Sequence, residues 1–241
     1  MTNRFVRDNL VAVQERIAAA AQKAGRRVGE ITLIGVSKTN PAESIREGYD
    51  AGLRHFGENR VQEWEAKRGG VEDLGATWHL IGHLQSNKAA KAARLFHCVD
   101  SVDDFALAQR LDRARAEMSA ADRLRVLIEV RVAEEETKSG VGVGELQGLA
   151  ERVAKLPQLE LAGLMCIPPF LDDPEKVRPH FRKLRELRDE LAAKLAKRLP
   201  VLSMGMSHDF EVAIEEGATE VRVGTAIFGQ RPKPTAAKSD A

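Results

Sequence analysis

A lysine follows a buried apolar run near the start of the chain. In ITLIGVSKTNP, residues 31–41, the run from Ile31 to Val36 has the pattern of a buried strand, and Lys38 follows it. A lysine attacks a carbonyl only after losing a proton, so its pKa must fall below the usual value of about 10.4. Burial and a neighbouring cation both lower that pKa. Lys38 is therefore a candidate for Schiff-base formation; the alternatives are that it extends to solvent or pairs with Glu58.

Two stretches near the C-terminal end combine glycines with hydroxyl side chains. SMGMSHDFE contains Gly205 and Ser207, and RVGTAIFG contains Gly224 and Thr225. Glycine lets backbone N–H groups approach an anion, and a hydroxyl adds a donor, so the pattern predicts a phosphate site. The alternative is that Ser207 caps a helix and Gly224 is a turn residue. The charge of Asp209 would repel a phosphate unless Asp209 caps that helix or points away.

Short apolar runs alternate with helical segments along the chain. The runs are Ile31–Val36, Arg54–Gly57, Trp78–Gly82, His97–Val99, Arg125–Val132, Glu160–Ile167, Val201–Gly205 and Glu220–Gly224. The helical candidates are residues 3–25, Pro41–Ala51, Val61–Arg68, Ser86–Leu95, Asp103–Met118, Val143–Lys155, Pro174–Arg198 and Asp209–Glu216, with Thr225–Phe228 as a further short element.

This alternation predicts the fold class. Continuous apolar strands separated by helices indicate parallel βα units covered on both faces, and eight of them are the count of a (β/α)8 barrel of the TIM type. The main alternative is an open doubly wound sheet, which more often has a G-x-G-x-x-G turn; this sequence has none. We predict one α/β barrel domain over residues 1–229 with an extra N-terminal helix, and a disordered polar tail over residues 230–241.

A barrel would bring the two candidate sites together. Working residues lie at the C-terminal ends of barrel strands, and the loops after strands seven and eight often bind phosphate. Arg222, on the strand that closes against the first, could be the cation that lowers the pKa of Lys38. A lysine and a phosphate site at one mouth fit a ligand that carries an aldehyde and a phosphate. Pyridoxal 5′-phosphate (PLP) is the commonest such ligand.

Composition and charge indicate an ordinary globular protein. The chain has 241 residues, 43% apolar and 30% charged, with a net charge of +1 from 37 basic and 36 acidic residues. This balance gives no reason to expect nucleic acid or an anionic membrane as a partner. The two cysteines, Cys98 and Cys166, are expected to be buried free thiols in a reducing compartment. No signal peptide or long apolar span is evident, so we predict a cytoplasmic protein.

Seven ordered motifs resemble those of the pyridoxal phosphate homeostasis protein family. They are GVSKTNP, FGENRVQEW, WHLIGHLQSNK, EEETKSG, GLMCIPP, LSMGMSHDFEVAI and VRVGTAIFG, and they span roughly residues 5–229. The resemblance implies a single PLP-binding barrel similar to the N-terminal domain of alanine racemase. It also implies a role as a PLP carrier or regulator, since the family has no established reaction.

The motifs also imply the cofactor contacts. They are Lys38 for the Schiff base, Asn59 and Met204 beside the ring, Arg222 at the pyridine nitrogen, and Ser207, Gly224 and Thr225 at the phosphate. We interpret His79 as a strand residue near the ring. This chain departs from the family at Asn40, Arg60 and Cys166, where lysine, tyrosine and threonine or another small residue are frequent. None of these departures removes a contact.

The alternative function is that of a PLP-dependent amino-acid racemase. Racemases of the alanine type need a lysine on one face of the substrate and a tyrosine from a partner's second domain on the other. This chain shows no second domain, and its single tyrosine, Tyr49, lies in a helical segment that we expect to pack outside the barrel. Arg222 would also disfavour a proton on the pyridine nitrogen. We therefore predict a monomeric protein that buffers PLP and delivers it to apoenzymes without turnover.

Three further features carry weaker interpretations. His79 and His83 have the spacing of helix-borne zinc ligands, but they span a strand and its loop, so we predict no metal site. The EEETKSG stretch is either a solvated charge run or a lid over the barrel mouth. An aldolase that uses Lys38 is a third possible function, which the motif match disfavours.

Overall fold

Eight parallel strands close into a barrel within the part of the chain that the structure describes. The computed structural model describes residues 5–118, 122–133 and 139–229. The barrel strands, numbered β1 to β8, are Thr32–Val36, His55–Glu58, Thr77–Leu80, Cys98–Val102, Leu124–Arg131, Leu159–Met165, Val201–Met206 and Glu220–Val223. Each strand pairs in parallel with the next, and β8 pairs with β1. The predicted (β/α)8 barrel is confirmed, and the alternative of an open sheet is wrong.

Strand boundaries differ from the apolar runs where polar residues enter the barrel. β4 continues to Val102, three residues beyond the predicted run, because Asp100 and Ser101 are both fully buried rather than in a loop. Ser101 Oγ donates to the carbonyl oxygen of Gly82 at 2.7 Å. A two-residue strand, Val141–Gly142, extends the edge of β5 beyond the barrel and was not predicted.

The helices surround the barrel. Within the described residues they are α1 to α9: Phe5–Lys23, Ala42–Asp50, Val61–Lys67, Ala89–Leu95, Phe105–Glu117, Val143–Val153, Arg178–Leu195, Phe210–Glu215 and Thr225–Phe228. Short 3-10 turns stand at Val28–Glu30, Arg68–Gly70, Ser86–Lys88 and Pro174–Val177. The extra helix α1 packs against α2, α8 and α9 through a buried stripe that includes Leu10, Val13 and Ile17.

Side chains of the strands alternate between two apolar regions. Val126 and Ile128 belong to a large core that also contains helix residues, whereas Leu127 belongs to a small cluster with Ala162, Met165 and Val201. Because neighbouring strand residues point to opposite faces, the small cluster lies inside the barrel and the large core lies between barrel and helices. Both faces of the sheet are therefore buried, which explains the continuous apolar runs in the sequence.

Gly163 of β6 lies directly against the backbone of β7. A Cβ atom at this position would be 1.9 Å from the carbonyl oxygen of Val201, so the paired strands would have to separate. We expect Gly163→Ala to lower the free energy of unfolding by about 3 kcal/mol, measured by urea denaturation. Gly148→Ala is the control because Gly148 is exposed on α6 with no atom within 4 Å of the added carbon. It should raise stability by about 1 kcal/mol, and equal effects of the two changes would contradict this packing.

Two sequence predictions fall on residues outside the described part of the chain. The first is the prediction of disorder over residues 230–241, and the second is the interpretation of EEETKSG, most of which (residues 134–138) is not described. Among the helices of the described residues, none has the length and apolar character needed to cross a membrane.

Candidate functional site

Lys38 stands in a tight turn at the C-terminal end of β1. The adjacent Thr39 has a φ of 64°, in the left-handed region that residues other than glycine rarely adopt. Asn40 closes the turn, with its backbone N–H donating to Ser37 O and its side-chain Nδ2 donating to Lys38 O, both at 3.1 Å. This strained and well-bonded turn holds the backbone of the half-buried Lys38 at the mouth of the barrel.

Glu58, a sequence alternative as partner of Lys38, is held by other groups. It is fully buried, and its Oε1 lies 2.7 Å from Lys67 Nζ and accepts a hydrogen bond from Ser37 Oγ at 2.5 Å. Burial raises the pKa of Glu58, while Lys67 and Ser37 act in the opposite direction. Lys67 also donates to the carbonyl oxygen of Ser37, at 2.9 Å. An ion pair with Lys38 is therefore not needed to hold the Glu58 carboxylate. The contacts of Glu58 and Lys67 with Ser37 also stabilise the turn that contains Lys38.

Ser207 links the ends of β7 and β8. Its Oγ accepts the backbone N–H of Gly224 at 3.3 Å and that of Ala226 at 3.5 Å. Gly205, with a φ of 90°, makes the bend that precedes it, and an added Cβ there would lie 2.9 Å from the Cα of Phe210. Because the N-cap residue of α8 is Asp209, and no side chain of the described residues caps that helix, the interpretation of Ser207 as only a cap of α8 is wrong.

Asp209 does not cap α8 through its side chain either. Its Oδ1 accepts the backbone N–H of Met206 at 2.6 Å, which folds the carboxylate back onto the end of β7. Burial raises the pKa of this carboxyl. The repulsion expected between Asp209 and a phosphate is thus reduced by the direction of the side chain.

Arg222 is fixed inside the barrel beside β1. It is 3% exposed, and it donates from Nη1 to Ser203 Oγ at 2.7 Å and from Nη2 to the carbonyl oxygen of Cys166 at 2.8 Å. Its backbone pairs with Ile34 of β1. Cys166 contributes only its backbone here: burial raises the pKa of its thiol to about 12. The prediction that both cysteines are buried free thiols is confirmed.

Sequence reasoning missed Glu129, a buried acid at the mouth end of β5. It is 5% exposed, and it lies in the run VLIEVR, where a lone acidic residue among apolar ones was the available signal. Burial and the charge of Asp103 raise the pKa of Glu129 to about 7, although Arg222 and His83 lower it. The mouth thus contains a carboxyl group that changes charge near neutral pH.

The titration of Glu129 predicts a pH-dependent stability. Its pKa is about 7 in the folded protein against an ordinary 4.5, so the native state holds the proton more tightly and stability falls as the pH rises through this window. We expect Glu129→Gln to raise the free energy of unfolding near pH 8 by on the order of 3 kcal/mol and to change it little near pH 4. Urea denaturation of the ligand-free protein at both pH values measures this, with the exposed Glu145→Gln as control. An equal effect at both pH values would contradict the raised pKa.

His79 lies inside the barrel with both ring nitrogens engaged. Nδ1 is 3.1 Å from Asp100 Oδ2, and Nε2 is 3.1 Å from His55 Nδ1. Burial disfavours the charged imidazole, but Asp100 outweighs burial and raises the pKa of His79 to about 10. His83 is half-exposed on the following loop beside Asp103, so the two histidines do not form the ligand pair that their spacing suggested.

The remaining predicted contacts lie in different surroundings. Asn59 lines a cavity of about 630 Å³ between the loops after β2 and β3. Gly224 is half-buried and Thr225 is exposed at the end of β8, beside Ser207. Met204 is fully buried in the large core outside the barrel, because its neighbour Ser203 points inward to Arg222. Met204 is therefore not among the contacts proposed below.

Tyr49 lies on α2, outside the barrel, as predicted. It is partly buried against the large core, and the guanidinium of Arg54 stands 4.2 Å from the centre of its ring. The tyrosine thus packs a helix, and it does not face the barrel mouth.

This fold and site define a class: a (β/α)8 barrel whose mouth combines a lysine with hydroxyl and glycine residues at the ends of β7 and β8. A family model for the alanine racemase N-terminal domain matches residues 9–232. A protein of Aquifex aeolicus called pyridoxal phosphate homeostasis protein is 50% identical over 224 residues, which are 93% of this chain and 97% of that one. A protein of the same name from Escherichia coli K12 is 46% identical over 92% of this chain and 95% of its own. The chain belongs to the pyridoxal phosphate homeostasis protein family.

Solved structures agree with this assignment. PipY of Synechococcus elongatus PCC7942, determined with PLP bound, is 41% identical, has a TM-score of 0.80, and covers 90% of this chain and all of its own. Alanine racemase of Clostridium difficile has a TM-score of 0.72 at 13% identity, with 95% of this chain aligned to 58% of that one. The second match shows that the fold is shared with the barrel domain of alanine racemase.

Proposed function

We propose that this protein binds PLP at the barrel mouth as a Schiff base on Lys38, and that it buffers PLP and delivers it to apoenzymes. The observation that carries the proposal is the junction of β7 and β8, where Ser207 Oγ accepts the amides of Gly224 and Ala226 beside β1, the strand that precedes Lys38. The relatives named for PLP homeostasis and the PLP-bound PipY support it. When bound, PLP supplies an aldehyde that reacts reversibly with amines.

Each proposed contact follows from the position of its residue. Ser207, Gly224 and Thr225 would hold the phosphate, because hydroxyl groups and a glycine at strand ends let an anion approach closely. Arg222 would face the pyridine nitrogen, where its fixed charge disfavours a proton. Asn59 would line the side of the ring.

His79 would act from below the ring rather than by a direct hydrogen bond. Its ring nitrogens already contact Asp100 and His55, so a contact with the ring would use the face of the imidazole. Asp100 favours the charged form of His79, and a fixed positive charge at this depth would oppose a proton on the pyridine ring in the same sense as Arg222.

A carrier role is favoured over racemase activity by the position of the tyrosine. Racemases of the alanine type use a tyrosine as the second base across the substrate from the lysine, and Tyr49, the single tyrosine of this chain, packs outside the barrel. Arg222 and the imidazole of His79 also make the cofactor a weaker electron sink, because both disfavour a protonated ring. We therefore propose a monomer that acts in the cytoplasm, where Cys98 and Cys166 would stay reduced.

Exchange of the α-proton of amino acids distinguishes the carrier from the racemase. The PLP-loaded protein is incubated in D2O with each common amino acid in excess, and deuterium at the α-carbon is followed by NMR. The carrier role predicts no more than one exchange event per protein molecule. Many exchange events with any amino acid would overturn the carrier role and favour the racemase.

A further inference from the structure

A cluster of charged and metal-ligating side chains lies inside the barrel below the mouth. His79 of β3, Asp100 of β4 and Glu220 of β8 each offer one donor atom, and these three atoms all lie within 4.8 Å of one another. Their exposed fractions are 0%, 0% and 3%. Two consecutive strands and the last strand of the barrel thus converge on one point.

Two carboxylate oxygens in this cluster are buried without a partner. Among the described residues, neither Asp100 Oδ1 nor Glu220 Oε2 has a hydrogen bond. The other oxygens are engaged: Asp100 Oδ2 lies beside His79, and Glu220 Oε1 is bound by Arg125. A buried carboxylate oxygen left without a partner is costly, so these two atoms indicate a ligand that accepts lone pairs.

The charges of the cluster are compatible with a positive ligand. The two carboxylates and the guanidinium of Arg125 together leave one net negative charge in a buried site, which either a proton on His79 or a bound cation would compensate. Buried charge of this kind is compensated in proteins by a cation or a proton. A divalent metal ion would compensate it and would occupy both free oxygens, which a proton on His79 would not do.

The geometry and donor types fit a small first-row divalent ion. His79 Nδ1 and Asp100 Oδ2 are 3.1 Å apart, so the imidazole and the Asp100 carboxylate are close enough to share one ion on bonds of about 2.1 Å. His79 Nε2, 3.1 Å from His55 Nδ1, has the outer hydrogen bond that orients metal-binding histidines. We propose that His79, Asp100 and Glu220 form a buried binding site for a divalent transition metal with a mixed nitrogen and oxygen donor set, of which Zn²⁺ is the probe.

Metal titration of the full-length protein tests this site. The chain is freed of any affinity tag, loaded with PLP, stripped with a chelator and titrated with Zn²⁺ by calorimetry, and the retained metal is measured by mass spectrometry. The same titration on Lys38→Ala removes any contribution from a lysine-bound cofactor. We expect one equivalent of Zn²⁺ in both proteins.

Matched variants assign the metal to these side chains. Asp100→Asn and Glu220→Gln keep the shape of each residue and should each weaken Zn²⁺ binding by about 100-fold, whereas the exposed Glu145→Gln should not change it. The visible bands of Co²⁺, bound in place of Zn²⁺, should change in His79→Gln, a result that loss of packing alone would not give. If the wild-type protein retains no stoichiometric metal, or if Asp100→Asn and Glu220→Gln bind it undiminished, the site does not exist and water or a proton serves the two oxygens.

Discussion

Replacement of Lys38 by alanine is expected to abolish the visible absorbance band of the PLP-loaded protein and its retention of PLP during dialysis. The band arises from conjugation of the pyridine ring with a lysine nitrogen, and alanine has no nitrogen to supply. The phosphate cradle alone should then hold PLP weakly and exchangeably. Absorbance spectra before and after dialysis measure both effects.

Lys88→Ala is the matched control. Lys88 lies at the same end of the barrel and lines the cavity that also contains Asn59, so it is the sort of lysine that a reactive aldehyde could reach by chance. This variant should keep the band and the retained PLP. A band that persists without Lys38, or one that disappears without Lys88, would show that the lysine has been wrongly assigned.

Loss of the Ser207 hydroxyl should weaken PLP binding by about 10- to 100-fold. A hydrogen bond to a charged group is worth about 1.5–3 kcal/mol, and Ser207→Ala removes the hydroxyl that would donate it. The amides of Gly224 and Ala226 also lose the acceptor that fixes their positions. Equilibrium dialysis against a range of PLP concentrations measures the change in affinity.

A comparison between PLP and pyridoxal makes this test specific for the phosphate. Pyridoxal has the aldehyde and the ring but no phosphate, so its binding should be nearly unchanged in Ser207→Ala. Ser101→Ala is the control, since Ser101 is a buried hydroxyl at the end of β4 that bonds Gly82 and not the cradle. Equal weakening of PLP and pyridoxal in Ser207→Ala would contradict a phosphate role for Ser207.

The barrel could be predicted because its strands are covered on both faces. A run such as Ile31–Val36 is apolar throughout, and this feature of parallel barrel strands is visible in a short stretch of sequence. The glycine and hydroxyl pairs at the ends of β7 and β8 were also recognisable in short stretches of sequence, since Gly205 and Ser207, like Gly224 and Thr225, are close neighbours in the chain. Features that depend on a few adjacent residues were thus open to sequence reasoning.

The interior of the barrel could not be predicted in the same way. His79, Asp100 and Glu220 each stand as a polar residue in or beside an apolar run, but their meeting depends on the register of strands around the whole barrel. Composition also does not determine whether a given strand side chain points into the barrel or outward to the helices. Met204 was expected beside the ring, yet the inward turn of Ser203 toward Arg222 places Met204 in the outer core.

Borohydride reduction of the PLP-loaded protein, followed by proteolysis and mass spectrometry, tests the central claim most directly. Reduction converts a Schiff base into a stable amine, so the lysine that holds PLP keeps the added mass through digestion. The proposed function predicts this mass on the peptide that contains Lys38 and on no other lysine. An added mass on a different lysine, or no added mass after loading, would contradict the proposal.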